Sequence, residues 1–80
     1  MEYEGQLKDG IPHGEGTMTY SNGEKYEGHW KDGKWDGEGT WTFQSGTKYI
    51  GQFKNDKMHG KGEMYNSSGN MVGKGDFESW

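Results

Sequence analysis

The segment from Tyr26 to Gly46, YEGHWKDGKWDGEGTWTFQSG, occurs again with the same grammar 23 residues earlier, as YEGQLKDGIPHGEGTMTYSNG from Tyr3, and 23 residues later, as YIGQFKNDKMHGKGEMYNSSG from Tyr49. Self-similarity at a fixed period means a stack of supersecondary units in which each contacts its neighbours. The chain therefore divides into units at about 3–25, 26–48 and 49–71, with a partial fourth over 72–80 that keeps Gly73-Lys74-Gly75-Asp76-Phe77, all within one domain spanning 1–80.

Within a unit, Tyr3, Gly5 and Leu7 alternate with Glu4, Gln6 and Lys8. Period-two alternation predicts a strand with one polar and one non-polar face. Asp9-Gly10 signals a turn, and Pro12 removes a ladder donor just beyond it. A second strand is expected from about Gly14 to Tyr20, with Gly14, Gly16, Met18 and Tyr20 on one face and Glu15, Thr17 and Thr19 on the other. Two connections can follow at Ser21-Asn22-Gly23. A two-residue Asn-Gly turn would set Tyr26 opposite Thr19 and split the aromatic rows between faces. A three-residue loop with a left-handed Gly23 bulge sets Tyr26 opposite Met18 and keeps one face apolar, so it is favoured here and at Gln44-Ser45-Gly46.

Composition agrees with strands and opposes helices. Gly makes up 16 of 80 residues, and Ala and Arg are absent; each helix-interior Gly costs about 1 kcal/mol relative to Ala. Leu, Ile, Val and Phe together number 7 of 80, a proportion otherwise seen in disordered chains. Twelve aromatic residues at repeating positions reverse that expectation, because each ring buries roughly 150–250 Å². The glycines share the aromatic face, and a ring lying over a neighbouring strand's bare backbone is the arrangement known as aromatic rescue. Gly5, Gly14, Gly16, Gly28, Gly37, Gly39, Gly51, Gly60 and Gly62 are thus expected to be structural. The predicted fold is all-β: a single-layer antiparallel meander of six to eight short strands, twisted or curled into a trough, its end capped by Phe77 and Trp80.

The repeating Tyr-x-Gly-x-(Leu/Trp/Phe)-Lys opening and the Gly-x-Gly-x-(Met/Trp) pair resemble the MORN-repeat family over about nine tenths of the chain. Departures are Leu7 in place of an aromatic residue, Asp56 in place of the turn glycine, Asp36 where His13 and His59 stand in the other units, and one extra residue after Gly69. The resemblance implies a scaffold or interaction module of the kind found in cytoskeletal, ciliary and membrane-junction proteins. As alternatives it implies a membrane-associated module, or an accessory region beside a kinase or methyltransferase domain.

Little in the residues points to catalysis. There is no cysteine, so neither disulfide nor thiolate chemistry is available. His13 and His59 share a unit position, but two units apart they would lie on the order of 20 Å from each other, too far for one metal ion. His29 stands by itself on the polar face. The Gly-x-Gly pairs lack the Lys-Ser/Thr and the helix that capture phosphate, and Asp36 with Glu38 alternates on a solvated face with no pocket to tune either carboxyl group. No cofactor and no small-molecule substrate is expected. A net charge of −4 without arginine argues against a nucleic-acid partner. No apolar run exceeds two residues, so neither a membrane-spanning helix nor a signal peptide is expected and a cytoplasmic location, with cytoskeletal or membrane association, is the default.

Two surfaces remain. Tyr3, Tyr26, Trp30, Trp41, Tyr49 and Phe53 would line a groove for a protein partner or a second copy in a homodimer. Lys8, Lys31 and Lys54 recur on the polar face, with Lys25 and Lys48 nearby, and would bind anionic phospholipid head groups. Glu4, Glu27, Asp9 and Asp32 recur as regularly and are expected largely to neutralise them.

Overall fold

A computed structural model describes residues 1–78. Seven strands, β1 (Glu2–Lys8), β2 (Ile11–Thr19), β3 (Lys25–Lys31), β4 (Lys34–Thr42), β5 (Lys48–Lys54), β6 (Lys57–Tyr65) and β7 (Met71–Glu78), form one antiparallel sheet in sequential order with both edges open. The expected meander is confirmed. The second strand begins earlier than expected, at Ile11, and takes in Pro12. Trp80, expected to cap the trough, lies outside the described residues, as does the side chain of Phe77.

Two kinds of turn alternate. Asp9-Gly10, Asp32-Gly33 and Asn55-Asp56 have positive φ at both positions, the two-residue geometry whose twist matches the flanking strands. The other connections are the three-residue loops favoured from sequence. Gly23 donates its N–H to the Tyr20 carbonyl and Tyr20 donates to Glu24, with Gly23 at φ 95°, so Met18 stands opposite Tyr26. Phe43 to Thr47 repeats the pattern, and so does Asn66 to Asn70, where the extra residue after Gly69 is absorbed as a register shift between Met64 and Tyr65.

The registers assemble a column of glycines running straight across the sheet: Gly5, Gly16, Gly28, Gly39, Gly51, Gly62 and Gly75, each opposite the next. Beside it runs a second column, Tyr3, Met18, Tyr26, Trp41, Tyr49 and Met64. Each tyrosine leans over the glycines of its own hairpin. A Cβ on Gly16, Gly39 or Gly62 would collide with the ring of Tyr3, Tyr26 or Tyr49, respectively.

The first glycine of each Gly-x-Gly pair does something else, which corrects the expectation that both lie under rings. Between Gly5 and Leu7 the register slips, from Gly5 opposite Gly16 to Leu7 opposite Pro12, so β2 carries two more residues than β1 there. The same slip recurs in the next two hairpins. Gly14, Gly37 and Gly60 absorb it with φ between 77° and 93°, a left-handed conformation that costs other residues about 1 kcal/mol or more. Their neighbours are the side chains of Gln6, His29 and Gln52, not the tyrosine rings. The carbonyl of the residue skipped in each hairpin register accepts a hydrogen bond from the tyrosine hydroxyl. Tyr3 donates to the Gln6 carbonyl at 2.6 Å, Tyr26 to His29 at 3.0 Å and Tyr49 to Gln52 at 3.2 Å. One side chain thus fills the glycine gap and satisfies the bulge.

Tyr26 and Tyr49 have no exposed surface, which a flat single layer cannot provide. The sheet is curled, within overall dimensions of 38 × 24 × 16 Å, and its concave side holds Tyr26, Trp30, Trp35, Tyr49, Phe53 and Met58 as core. Tyr26 stacks on Trp35 at 4.6 Å and meets Trp30 and Phe53 edge-on at 5.2 and 4.9 Å. The ring at the end of each odd strand also packs on the tyrosine of the preceding unit: Trp30 on Tyr3 and Phe53 on Tyr26.

Burial raises the ionisation of Tyr3, Tyr20, Tyr26 and Tyr49 above the ordinary phenol value, most strongly at Tyr26, where the Asp36 and Asp56 carboxylates add to it. Because the folded state disfavours the phenolate, the stability this represents is intact below the unfolded value of about pH 10 and is lost as pH rises beyond it. Urea midpoints should therefore be level with respect to these groups up to about pH 9.5 and fall above about pH 10. Tyrosine absorbance titration should show ionisation delayed past the free phenol curve; a curve superimposed on that of the unfolded chain would remove this account.

Candidate functional site

The concave face is where apolar side chains converge, and the curl decides which of them a partner can reach. Of the six groove residues expected from sequence, Tyr26, Trp30, Tyr49 and Phe53 are buried at 0–4 % exposure, so they constitute the core and not the contact surface. Repetition explains this: rings of adjoining units cover one another, Tyr3 packing on Trp30 and Tyr26 on Phe53. Tyr3 and Trp41 are half-buried and retain reachable area.

Trp41 belongs to a ridge along the side of the three-residue loops. Its ring tilts against Trp35 at 5.1 Å and against Phe43 edge-on at 4.6 Å, while its indole N–H reaches Glu24 Oε1 at 3.3 Å. Tyr20 stands nearby, accepting the Trp35 indole N–H at 2.9 Å. Met18, Tyr20, Asn22, Glu24, Trp30 and Trp35 contribute to an open cleft of about 540 Å³. Tyr20 and Phe43 had not been singled out from sequence; each is two residues beyond a member of the tyrosine column, on the same strand face.

The opposite side of the ribbon carries the lysines. Lys8, Lys31 and Lys54 end their strands and are exposed. The two-residue turns place Lys34 opposite Lys31 and Lys57 opposite Lys54, and Ile11 opposite Lys8. Like charges directly opposite one another are unfavourable, so this rim concentrates positive charge that the isolated fold does not need. The expected neutralisation is incomplete. Glu27 lies roughly 13 Å along the strand from Lys31, beyond the screening length of about 8 Å, and is 3.9 Å from Lys25. Asp9 and Asp32 do stand beside Lys8 and Lys31 in the turns, whereas Asp56 is otherwise engaged.

Asp56 ties one unit to the one before. In the first junction the Gly33 N–H donates to the Pro12 carbonyl at 2.9 Å. In the second, Asp56 N–H donates to the Trp35 carbonyl at 3.1 Å, and Trp35 N–H donates to Asp56 Oδ1 at 2.8 Å. Pro12 has no N–H and faces a glycine with no acceptor; Trp35 has one and faces a carboxylate. The turn residue of each junction is therefore matched to the residue it faces, Gly33 to Pro12 and Asp56 to Trp35. Asp56→Gly should relieve a φ of 67° yet still lose about 1–2 kcal/mol by orphaning the Trp35 N–H, whereas Asp56→Asn, which keeps the acceptor and tolerates this backbone, should lose less than half as much. Equal losses in thermal denaturation of the two variants would count against the carboxylate–amide link.

The histidines are dispersed. His13 Nδ1 accepts the Asp32 N–H at 3.3 Å, and His29, expected to stand by itself, lies 3.9 Å from Glu15. Among the described residues no group of three or more His, Cys, Asp or Glu is placed to hold a metal ion, and no helix is long and apolar enough to cross a membrane.

Comparison with known proteins agrees with this geometry. No curated protein matches the chain. The family model for the MORN repeat matches at residues 3–25, 26–48 and 49–71, the segments whose tyrosine, glycine pair and loop build each hairpin. MORN repeats serve generally as interaction or membrane-association modules. With three consecutive units matched end to end, this chain belongs to the MORN-repeat family.

Proposed function

We propose that the chain is a non-catalytic interaction module that holds a protein partner against the ridge of Tyr20, Trp41 and Phe43 on the concave face. The observation that carries this is a set of rings left half-exposed beside a core already complete without their outer surfaces. Half-buried aromatic rings on a preordered scaffold lose little conformational freedom when covered, and such residues dominate binding energy; Tyr20 also borders the open cleft beside them. Glu24 and Asn22 at the cleft margin supply polar contacts to orient a bound segment.

A second reading is supported by the lysine rim: docking to a surface of anionic phospholipid through Lys8, Lys31, Lys34, Lys54 and Lys57. Near an anionic membrane each lysine contributes about 1 kcal/mol, and the cross-strand lysine pairs would be relieved there.

One comparison separates the two. Peptide display against the folded protein should enrich sequences with apolar anchors whose affinity drops at least about tenfold in Trp41→Ala, with far-ultraviolet circular dichroism unchanged. Co-sedimentation with phosphatidylcholine vesicles containing phosphatidic acid at physiological salt tests the other. Vesicle binding abolished by Lys31→Glu with Lys54→Glu, together with no Trp41-dependent peptide, would replace the first reading by the second.

A further inference from the structure

We propose that the outer edge of β1 is a self-recognition site, where β1 of a second copy pairs antiparallel about a two-fold axis through Gly5, extending the ribbon into one continuous sheet. This deepens the protein-interaction reading above and rests on it for the class of partner, though not for the surface.

Three observations converge on β1. Leu7 is 58 % exposed and Met1 80 %, whereas the residues that occupy the position of Leu7 in the following units, Trp30 and Phe53, are 4 % and 3 % exposed. The difference arises because no preceding unit lies against β1 among the described residues. The ladder geometry also favours this edge. The corresponding edges of β3 and β5 pair with β2 and β4 through six consecutive residues in unbroken register. In β1, β3 and β5 the bulges fall on the other edge; only β7, which takes up the extra residue after Gly69, shifts register against the strand before it. The outer edge of β1 is thus the regular one, able to accept a strand that carries no bulge. The outer edge of β7 corresponds to the bulged side and would need a partner with a left-handed glycine at the slip.

Charge and shape then select the register. With Gly5 opposite Gly5 of the second copy, the glycine column continues across the axis. Tyr3 falls opposite Leu7 on the concave face, twice by symmetry, so the exposed Leu7 meets a ring as its counterparts do. Glu2 falls opposite Lys8 on the polar face, also twice, giving complementary cross-strand pairs. A one-residue slip would send Leu7 to the polar face. Centring on Glu4 would set two carboxylates against each other and break the glycine column. An isologous contact of this kind closes on itself at two copies.

The test is sedimentation velocity on the 80-residue chain from micromolar to near-millimolar concentration. The expected result is a concentration-dependent shift to twice the monomer mass. Leu7→Asp, at an exposed position, should weaken the dimer at least about tenfold with unchanged circular dichroism, and Lys8→Glu should weaken it too. The double variant Glu2→Lys with Lys8→Glu should restore association, an outcome specific to this register. Lys74→Glu on β7 should leave the dimer intact. A chain monomeric throughout, a dimer insensitive to Leu7→Asp, or one lost in Lys74→Glu would overturn the proposal, and failure of the charge swap to restore would overturn the register. A monomer that still selects Trp41-dependent peptides would sink the self-pairing while leaving the concave-face reading standing; a dimer that follows the Leu7 and Lys8 series but selects no peptide would do the reverse.

Discussion

Gly39→Ala should remove a large part of the protein's stability, although it adds one methyl group to a residue with ordinary backbone geometry. The new Cβ would sit within the Tyr26 ring. That ring has nowhere to retreat, being fully buried and in contact with Trp30, Trp35 and Phe53. Relieving the overlap means tilting the ring, breaking the hydroxyl bond to the His29 carbonyl and disturbing the stack. A core overlap costs typically 1–3 kcal/mol and a part-buried carbonyl left without its donor up to about 1–3 more, so a loss of about 2–6 kcal/mol is expected, against total stabilities near 5–10 kcal/mol for domains of this size. Gly73→Ala is the control. Nothing lies within 4 Å of the Cβ it would add, and its φ is not in the left-handed region; the outcome there is neutral or slightly stabilising through the unfolded chain. Urea denaturation of the pair decides it: comparable midpoints would show that tyrosine–glycine contact is not what excludes larger residues from the column.

Tyr26→Ala removes the ring itself and is expected to be equally severe. Truncation of a buried aromatic side chain costs about 3–5 kcal/mol, and here it opens the faces of three other rings at once. Tyr26→Phe keeps the ring and loses only the hydroxyl donor, so it should cost about 1–2 kcal/mol. Tyr3→Ala should cost clearly less than Tyr26→Ala, since Tyr3 is half-exposed and, among the described residues, has a ring neighbour only in Trp30. Combining Tyr26→Ala with Gly39→Ala should cost less than the sum of the two, because the methyl group has no ring left to meet. Full additivity would mean that the two positions act independently.

The parts legible in the sequence were those with a period. Alternation of Tyr3, Gly5 and Leu7 fixed the strand and its faces, and keeping Met18 and Tyr26 on one side selected the three-residue loop that the structure contains. What escaped was the left-handed backbone inside the strands, as distinct from the loops. In a period-two reading Gly14 and Gly16 are equivalent, yet one absorbs a register slip in a left-handed conformation and the other lies under a ring. Burial also escaped, because it depends on the neighbouring unit: Trp30 and Leu7 hold the same place in their units, and a tyrosine of the preceding unit packs on Trp30 but none on Leu7 among the described residues. Lys34 and Lys57 were passed over because they fall at another unit position; only the two-residue turn sets them against Lys31 and Lys54. Asp56 looked like a lost glycine, and its meaning lay in Trp35, which supplies an N–H where the first unit has Pro12.

The glycine column carries a mechanical implication. Along that line the concave side has no Cβ atoms of its own, so every hairpin bends about the same crease and each tyrosine wedges it to the same degree. Bending is then set locally, unit by unit, and total length becomes a matter of counting: each additional 23-residue copy would extend the ribbon by two strand spacings, roughly 10 Å, while leaving its cross-section unchanged. A gene lineage that duplicates or deletes such copies would be adjusting the reach of a spacer in fixed increments, with no need to redesign an interior.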